Sequence, residues 1–205
     1  MSVAPEFRFI RTGVEWLDDL LEGVPRGSRV LVSGEPGVGK SMLLTSLAAS
    51  FVTSADRVLY ASTEETSASV ISRYLRLGGR RSGSFTALST RDVAAIAEEA
   101  RVLAPRWLVV DAASRDTDAH AIDWIAERAA LEMTIFVVVL GDPSFADAAI
   151  LATWADACLH VERAGDRMTV ISLKKPRGWN LPRHRLCASD PWQGRLVATD
   201  VGSPT

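Results

Sequence analysis

Four short stretches of the chain are apolar almost without interruption: 29–33, 57–62, 107–111 and 135–140. A run of five or six residues with no polar alternation marks a strand covered on both faces. Between these runs the apolar positions fall at helical spacing. Val14, Leu17, Leu20 and Leu21 follow Thr12 as a predicted N-cap and stop at Gly23. Residues 42–49 read as a helix, and residues 67–77 as another, halted by Gly78 and Gly79. Val93, Ile96, Ala97, Ala100 and Leu103 make an apolar stripe behind Thr90, a predicted cap, and before Pro105. Two more helices are predicted at 119–131 and 146–154, and short strands at 84–88 and 157–161. Beyond residue 162 the pattern changes: 168–173, 183–188 and 195–199 read as strands joined by turns, with no helix between them.

Strands alternating with helices predict an α/β fold with a mostly parallel central sheet and flanking helices. The strand-only tail predicts an antiparallel extension of that sheet. A single domain over 1–205 accounts for the whole pattern, with 1–28 as a lead-in helix and turn and 162–205 as the C-terminal β extension.

Composition narrows this little. Hydrophobic residues make up 47% of the 205 residues and charged residues 23%, ordinary for a globular domain. A formal net charge of −2 gives no global drive toward nucleic acid or an anionic membrane. Cys158 and Cys187 are too few for a zinc site or a disulfide framework and read as buried thiols. The first residues lack the charged-then-apolar pattern of a signal peptide, and no apolar segment reaches bilayer length, so no membrane association and a cytoplasmic location are expected.

The chemistry concentrates after the first apolar strand. Gly34, Glu35, Pro36, Gly37, Val38, Gly39, Lys40 and Ser41 spell G-x-x-x-x-G-K-[ST] between a predicted strand and a predicted helix. The glycines let the backbone curl its N–H groups toward phosphate oxygens, and the helix N-terminus, where Met42 follows, adds roughly half a positive charge. Lys40 is expected to reach the β- and γ-phosphates and Ser41 to hold magnesium. A glycine turn needed only for packing explains neither residue. Asp111 ends an apolar strand, the place for a Walker-B carboxylate that orders the metal; a capping aspartate is the plainer alternative. Glu64 and Glu65 end the strand after the loop helix. Glu64 is expected to polarise water for in-line attack and Glu65 to support it, against a merely solvated acidic turn. Lys175 and Arg177, around Pro176 and before Gly178, form either a rigid basic projection that neutralises a transferring phosphoryl or a basic surface hairpin.

The run from Thr12 through Leu17-Asp18-Asp19-Leu20-Leu21 and Gly23-Val24-Pro25-Arg26-Gly27-Ser28 to Ser41, the block Val58–Thr66, and Lys175-Pro176-Arg177-Gly178 together resemble RecA-fold ATPases, in particular the RadA/Sms and KaiC-like branches. The resemblance implies a RecA core, ATP with Mg2+, and a homo-oligomer (a hexameric ring or a filament) with nucleotide at subunit interfaces. There Lys175 and Arg177 would reach the nucleotide of the neighbour. It also sets Arg73 where an arginine of the RadA-like helix lies, and stacking of Arg73 on adenine is expected.

Some features depart from those families. The four-cysteine module and the protease-like domain of RadA-type proteins have no counterpart in this sequence. After Leu140 the polar sensor of those families is replaced by Gly141-Asp142-Pro143-Ser144. The two candidate DNA loops, 112–119 and 141–147, carry more acid than base, which repels phosphate. Basic groups gather instead at Arg73, Arg76, Arg80 and Arg81, and at Lys174, Lys175, Arg177, Arg183, His184 and Arg185, as a nucleic-acid face or a solvated surface. Trp107, Trp124 and Trp154 read as core; Trp16 and Trp179 read as candidates for subunit contacts. Three functions remain: an oligomeric ATPase acting on DNA or a DNA-processing partner, a KaiC-like nucleotide switch with little or no hydrolysis and no DNA, and a small-molecule kinase. The kinase is disfavoured because the Glu64-Glu65 and Lys175/Arg177 pattern is foreign to kinases.

Overall fold

Each central strand sends alternate side chains to opposite faces, and the two faces hold two separate cores. Val58 and Tyr60 of one strand join Val30, Val32, Trp107, Val109, Phe136 and Val138 in the first core, beneath helices that carry Leu17, Leu20, Leu44 and Leu47. Leu59 and Ala61 of the same strand join Leu31, Leu108, Val110, Ile135 and Val137 in the second, beneath Ile96, Ala97 and Ala100. Burial on both sides is why these strands read as unbroken apolar runs. The computed structural model describes residues 9–12, 14–21, 23–52, 56–112, 133–139, 155–165, 167–174 and 185–189.

The described elements are β1 (Phe9–Ile10), α1 (Glu15–Leu21), β2 (Val24–Pro25), β3 (Arg29–Ser33), α2 (Lys40–Phe51), β4 (Val58–Ser62), α3 (Ser67–Arg76), β5 (Phe85–Ser89), α4 (Val93–Leu103), β6 (Trp107–Asp111), β7 (Thr134–Val138), β8 (Ala157–Ala164), β9 (Arg167–Lys174) and β10 (Arg185–Ser189). Strands β1 and β2 form a two-stranded antiparallel pair; the rest make an eight-stranded sheet in the order β10-β9-β8-β3-β7-β6-β4-β5. From β8 to β5 every pairing is parallel, while β9 and β10 are added antiparallel. The mostly parallel sheet with an antiparallel extension is therefore as expected. The predicted helices at 119–131 and 146–154 and the strand at 195–199 lie outside the described residues.

Strand β3 sits between β7 and β8. The chain leaves β3 toward the β4–β5 edge, returns through β6 and β7, and then crosses to the other flank as β8. The order thus reverses at β3, and ligands of open parallel sheets bind beyond the carboxyl ends of the strands at such a point. Register aligns those ends: Ser62 lies opposite Asp111, Val32 opposite Val138, and Ser33 opposite His160.

Three local expectations are corrected. Thr12 does not directly precede α1; its hydroxyl accepts from Val14 N–H at 3.1 Å and donates to Asp18 Oδ1 at 2.8 Å, tying down the turn ahead of the helix. Asp92, not Thr90, caps α4, accepting from Ala94 N–H at 2.8 Å. Thr90 Oγ1 instead accepts from Asp92 N–H at 3.0 Å. Trp16, expected at a subunit contact, is buried in the first core, because α1 turns its apolar face onto the sheet. Trp107 is core as predicted, stacked on Phe51 at 4.3 Å between ring centroids. Among the described residues no helix is long and apolar enough to cross a membrane.

Candidate nucleotide-binding site

The loop between β3 and α2 is shaped by close approach. At Gly34 an added Cβ would lie 2.4 Å from the Val161 carbonyl oxygen of β8, so any side chain there meets backbone. At Gly39, with φ of +104°, it would lie 2.6 Å from Met168 Cε of β9. The loop therefore rests against the start of the antiparallel extension. Helix α2 starts immediately after it, with Leu43 N–H donating to Gly39 C=O at 2.9 Å. The first N–H groups of α2 have no acceptor within the helix and point toward the loop's mouth. Glu35, Pro36 and Gly37 form its exposed crest, and Val38, Gly39, Ser41 and Met42 are half-buried.

Lys40 is buried, 5% exposed, and its Nζ donates to the Gly34 and Glu35 carbonyls at 2.6 and 2.8 Å. Burial pulls its pKa below the ordinary lysine value, although the negative charges of Asp111, Glu35 and Glu64 oppose that shift. The ammonium is thus held under the loop crest amid three carboxylates, ready to meet an anion.

Beside it, Ser41 Oγ donates to Asp111 Oδ1 at 3.1 Å. A hydroxyl whose proton goes to a carboxylate keeps its lone pairs for a cation. The other Asp111 oxygen accepts from the Tyr60 hydroxyl at 2.5 Å. The predicted Ser41–Asp111 pair is therefore brought together from α2 and β6, which the sequence separates by 70 residues.

The turn after β4 is pinned to the same place. Thr63 N–H donates to the Asp111 carbonyl at 2.8 Å and Thr63 Oγ1 to the Ala112 carbonyl at 2.8 Å. Ser62 Oγ accepts from the N–H groups of Glu65 at 3.0 Å and Glu64 at 3.4 Å. This places both glutamates at the strand ends, but in different surroundings. Glu64 is exposed and its carboxylate has no hydrogen-bond partner among the described residues. Glu65 is held by Arg73 Nη1 at 2.5 and 2.7 Å and by Ser69 Oγ at 2.9 Å. Burial raises the Glu65 pKa, yet the hydrogen bonds from Arg73 and Ser69 and the arginine charge outweigh it, and the carboxyl lies below its ordinary value.

Arg73 finds no support for adenine stacking in this geometry. Its side chain is 12% exposed and engages Glu65, Thr45 Oγ1 at 2.9 Å and the Tyr60 oxygen at 3.4 Å, with its guanidinium over the Tyr60 ring. It is likewise withdrawn from the basic surface group, leaving Arg76, Arg80 and Arg81 exposed there. Lys175 and Arg177 lie outside the described residues. Sequence reasoning missed Tyr60, Ser62 and Thr63; the one available signal was a tyrosine inside an otherwise apolar strand, since a buried hydroxyl needs a partner. It also missed His160, whose Nδ1 lies 3.0 Å from Ser33 Oγ just before the loop.

A glycine loop packed at Gly34 against the backbone of β8, a buried lysine and a serine–aspartate pair at a topological switch point define a P-loop nucleotide site. A family model described as "ATPase: KaiC" matches residues 10–89. The DNA repair protein RadA of Mycobacterium tuberculosis (strain H37Rv) is 34% identical over 102 residues, 49% of this chain and 21% of the relative. RadA of Bacillus subtilis is 39% identical over 89 residues, 43% of this chain and 19% of the relative. RadA of Aquifex aeolicus is 43% identical over 68 residues, 33% of this chain and 15% of the relative. The aligned part thus spans about a fifth or less of these relatives' own length. A solved structure described as an ATPase domain superposes with a TM-score of 0.74 at 14% identity, covering 96% of this chain and 94% of that one, a likeness of fold. The chain thus has the RecA-like ATPase-domain fold with a P-loop site, and its N-terminal half is similar to KaiC-like and RadA ATPases.

Proposed function

We propose that this protein binds ATP with Mg2+ at the β3–α2 loop and hydrolyses it, and that it self-assembles with nucleotide at subunit interfaces in a DNA-related process. The observation that carries the nucleotide reading is the convergence of Lys40, Ser41 and Asp111 beneath a loop whose first glycine, Gly34, lies too close to the Val161 carbonyl to carry a side chain. The residues present fit the group. The loop N–H groups and Lys40 would bind phosphate oxygens, and Ser41 and Asp111 would hold the cation. The bound magnesium nucleotide supplies the phosphoanhydride bond and a cation that offsets the departing charge. Glu64, exposed and without a hydrogen-bond partner among the described residues, accepts the proton of the attacking water. Glu65, fixed by Arg73, holds the turn that presents Glu64. Lys175 and Arg177 would complete the site of an adjacent subunit, as the resemblance to RadA-type proteins suggests.

The DNA-related part rests on the name of the relatives, "DNA repair protein RadA". The test is ATPase rate against protein concentration, with and without single- or double-stranded DNA. A rate that rises with assembly and again with DNA supports the proposal. A rate that rises with assembly yet ignores DNA favours a KaiC-like switch. No turnover at any concentration overturns the hydrolase reading. Arg177→Ala is expected to keep nucleotide binding and lower turnover; unchanged turnover removes the inter-subunit role.

A further inference from the structure

A closed ring of hydrogen bonds runs behind the metal end of the site. Ser41 Oγ donates to Asp111 Oδ1 at 3.1 Å, and the Tyr60 hydroxyl donates to Asp111 Oδ2 at 2.5 Å. Arg73 Nη2 donates to the Tyr60 oxygen at 3.4 Å, and Arg73 Nε to Thr45 Oγ1 at 2.9 Å. Thr45 Oγ1 returns the ring to its start, donating to the Ser41 carbonyl at 2.6 Å. The direction is fixed by proton count. Tyrosine has a single hydroxyl proton, and Asp111 offers the nearer, charged acceptor, so the Tyr60 oxygen is left to accept from arginine. The ring draws one side chain each from α3, β4 and β6 and two from α2. Tyr60 and Thr45 are 0% exposed and Asp111 4%.

This ring divides the site. The phosphate-gripping part, the loop and Lys40, makes none of the ring's bonds. The metal part depends on it: with one Asp111 oxygen turned to Tyr60, the other is aimed at Ser41. Arg73 also carries Glu65 on its free Nη1 side, so one guanidinium connects the metal carboxylate to the turn bearing Glu64. Without the Tyr60 hydroxyl, Asp111 Oδ2 loses its donor in a buried place and Arg73 Nη2 its acceptor. An unsatisfied buried charge is relieved by rotation of the carboxylate, which takes Oδ1 away from Ser41.

We propose that Tyr60 and Arg73 are positioning residues for the metal: the arginine-held tyrosine hydroxyl sets the Asp111 carboxylate, and through it Ser41, in the orientation that magnesium-dependent nucleotide binding requires. The proposal rests on the magnesium nucleotide reading of the site. A role limited to stability would lower the melting temperature and leave the metal requirement untouched.

The experiment titrates Mg2+ into the full chain with a fluorescent ADP analogue at fixed concentration and repeats nucleotide binding in EDTA. It compares the wild-type protein, Tyr60→Phe and Arg73→Lys, each with a thermal melt. For Tyr60→Phe, the Mg2+ concentration at half-maximal enhancement is expected to rise about tenfold, the effect of one charged hydrogen bond. Affinity in EDTA should stay within about twofold, because the loop and Lys40 are unaltered. Arg73→Lys keeps a cation but loses the fork that serves three partners at once, so it should shift the Mg2+ requirement in the same direction. It carries the test should Tyr60→Phe fail to fold. A Mg2+ half-point unchanged from wild type in the folded variants, whatever the melting temperature, overturns the proposal. A wild-type protein that binds nucleotide identically with and without Mg2+ overturns the underlying reading too, and that failure is visible in the wild-type titration alone.

Discussion

Arg73 Nη1 lies 2.5 and 2.7 Å from the two carboxylate oxygens of Glu65, one helix away from the loop that both serve. Arg73→Ala removes this pair and strands Tyr60 and Thr45 behind it. Hydrogen bonds to charged groups contribute about 1.5–3 kcal/mol each, and Glu65 is 30% exposed, so the net cost should be about 2 kcal/mol. In a domain of this size that lowers the melting temperature by about 4–8 °C. The pH dependence has a definite sign. Because the folded Glu65 carboxyl lies below its ordinary value of 4.5, its contribution is full above that pH and is lost as pH falls through the folded value. The advantage of wild type over Arg73→Ala, measured by urea unfolding, should shrink on acidification below about pH 4.5.

Tyr60 gives the opposite signature. Burial first, then the charge and hydrogen bond of Asp111, push its hydroxyl well above the ordinary value of 10.0. Above about pH 10 the unfolded chain releases this proton and the folded chain retains it, so stability falls with rising pH by at most about 1.4 kcal/mol per unit. Urea unfolding of Tyr60→Phe should lose less stability than wild type between about pH 9 and pH 11. Parallel losses in the two proteins would place the alkaline sensitivity elsewhere.

Two loop glycines separate crowding from backbone strain. A Cβ at Gly34 meets the Val161 carbonyl at 2.4 Å, whereas a Cβ at Gly37 meets nothing within 4 Å. Gly37→Ala carries only the strain of a positive φ, about 1–2 kcal/mol, while Gly34→Ala must also displace β8 and should cost about 3 kcal/mol or more. Denaturant midpoints of the two variants test the ordering.

The adjacent glutamates should separate in the same manner. Glu64→Gln is expected to lower single-turnover hydrolysis about 100-fold or more, with nucleotide affinity intact and the melting temperature within about 1 °C of wild type. Glu65→Gln should lower the melting temperature as well, because it weakens the Arg73 pair. Equal loss of turnover without any difference in stability would contradict the division of labour.

The sheet and its chemistry are legible in the sequence where the signal is local. Doubly covered strands show as unbroken apolar runs, and the phosphate loop needs glycine, lysine and serine at fixed spacing beside a helix start. Asp111 is readable because it ends such a strand. What escapes depends on tertiary partners. Arg73 in sequence is one of several arginines near the end of α3; only the packing of α3 on α2 turns it toward Thr45, Tyr60 and Glu65. Trp16 reads as an interface residue because seven residues of helix do not reveal which face the sheet will take. Thr90 and Asp92 both carry a capping oxygen, and the choice between them is settled by which backbone N–H comes within reach.

The central claim, that Lys40 and the loop around it grip a magnesium nucleotide, is tested most directly by calorimetric titration of Mg2+ and a non-hydrolysable ATP analogue into wild type and Lys40→Ala. The wild type should give a saturable binding heat with one nucleotide per chain. Lys40→Ala, folded as judged by a cooperative melt, should give none. Absence of binding in the wild type, or undiminished binding in Lys40→Ala, would contradict it.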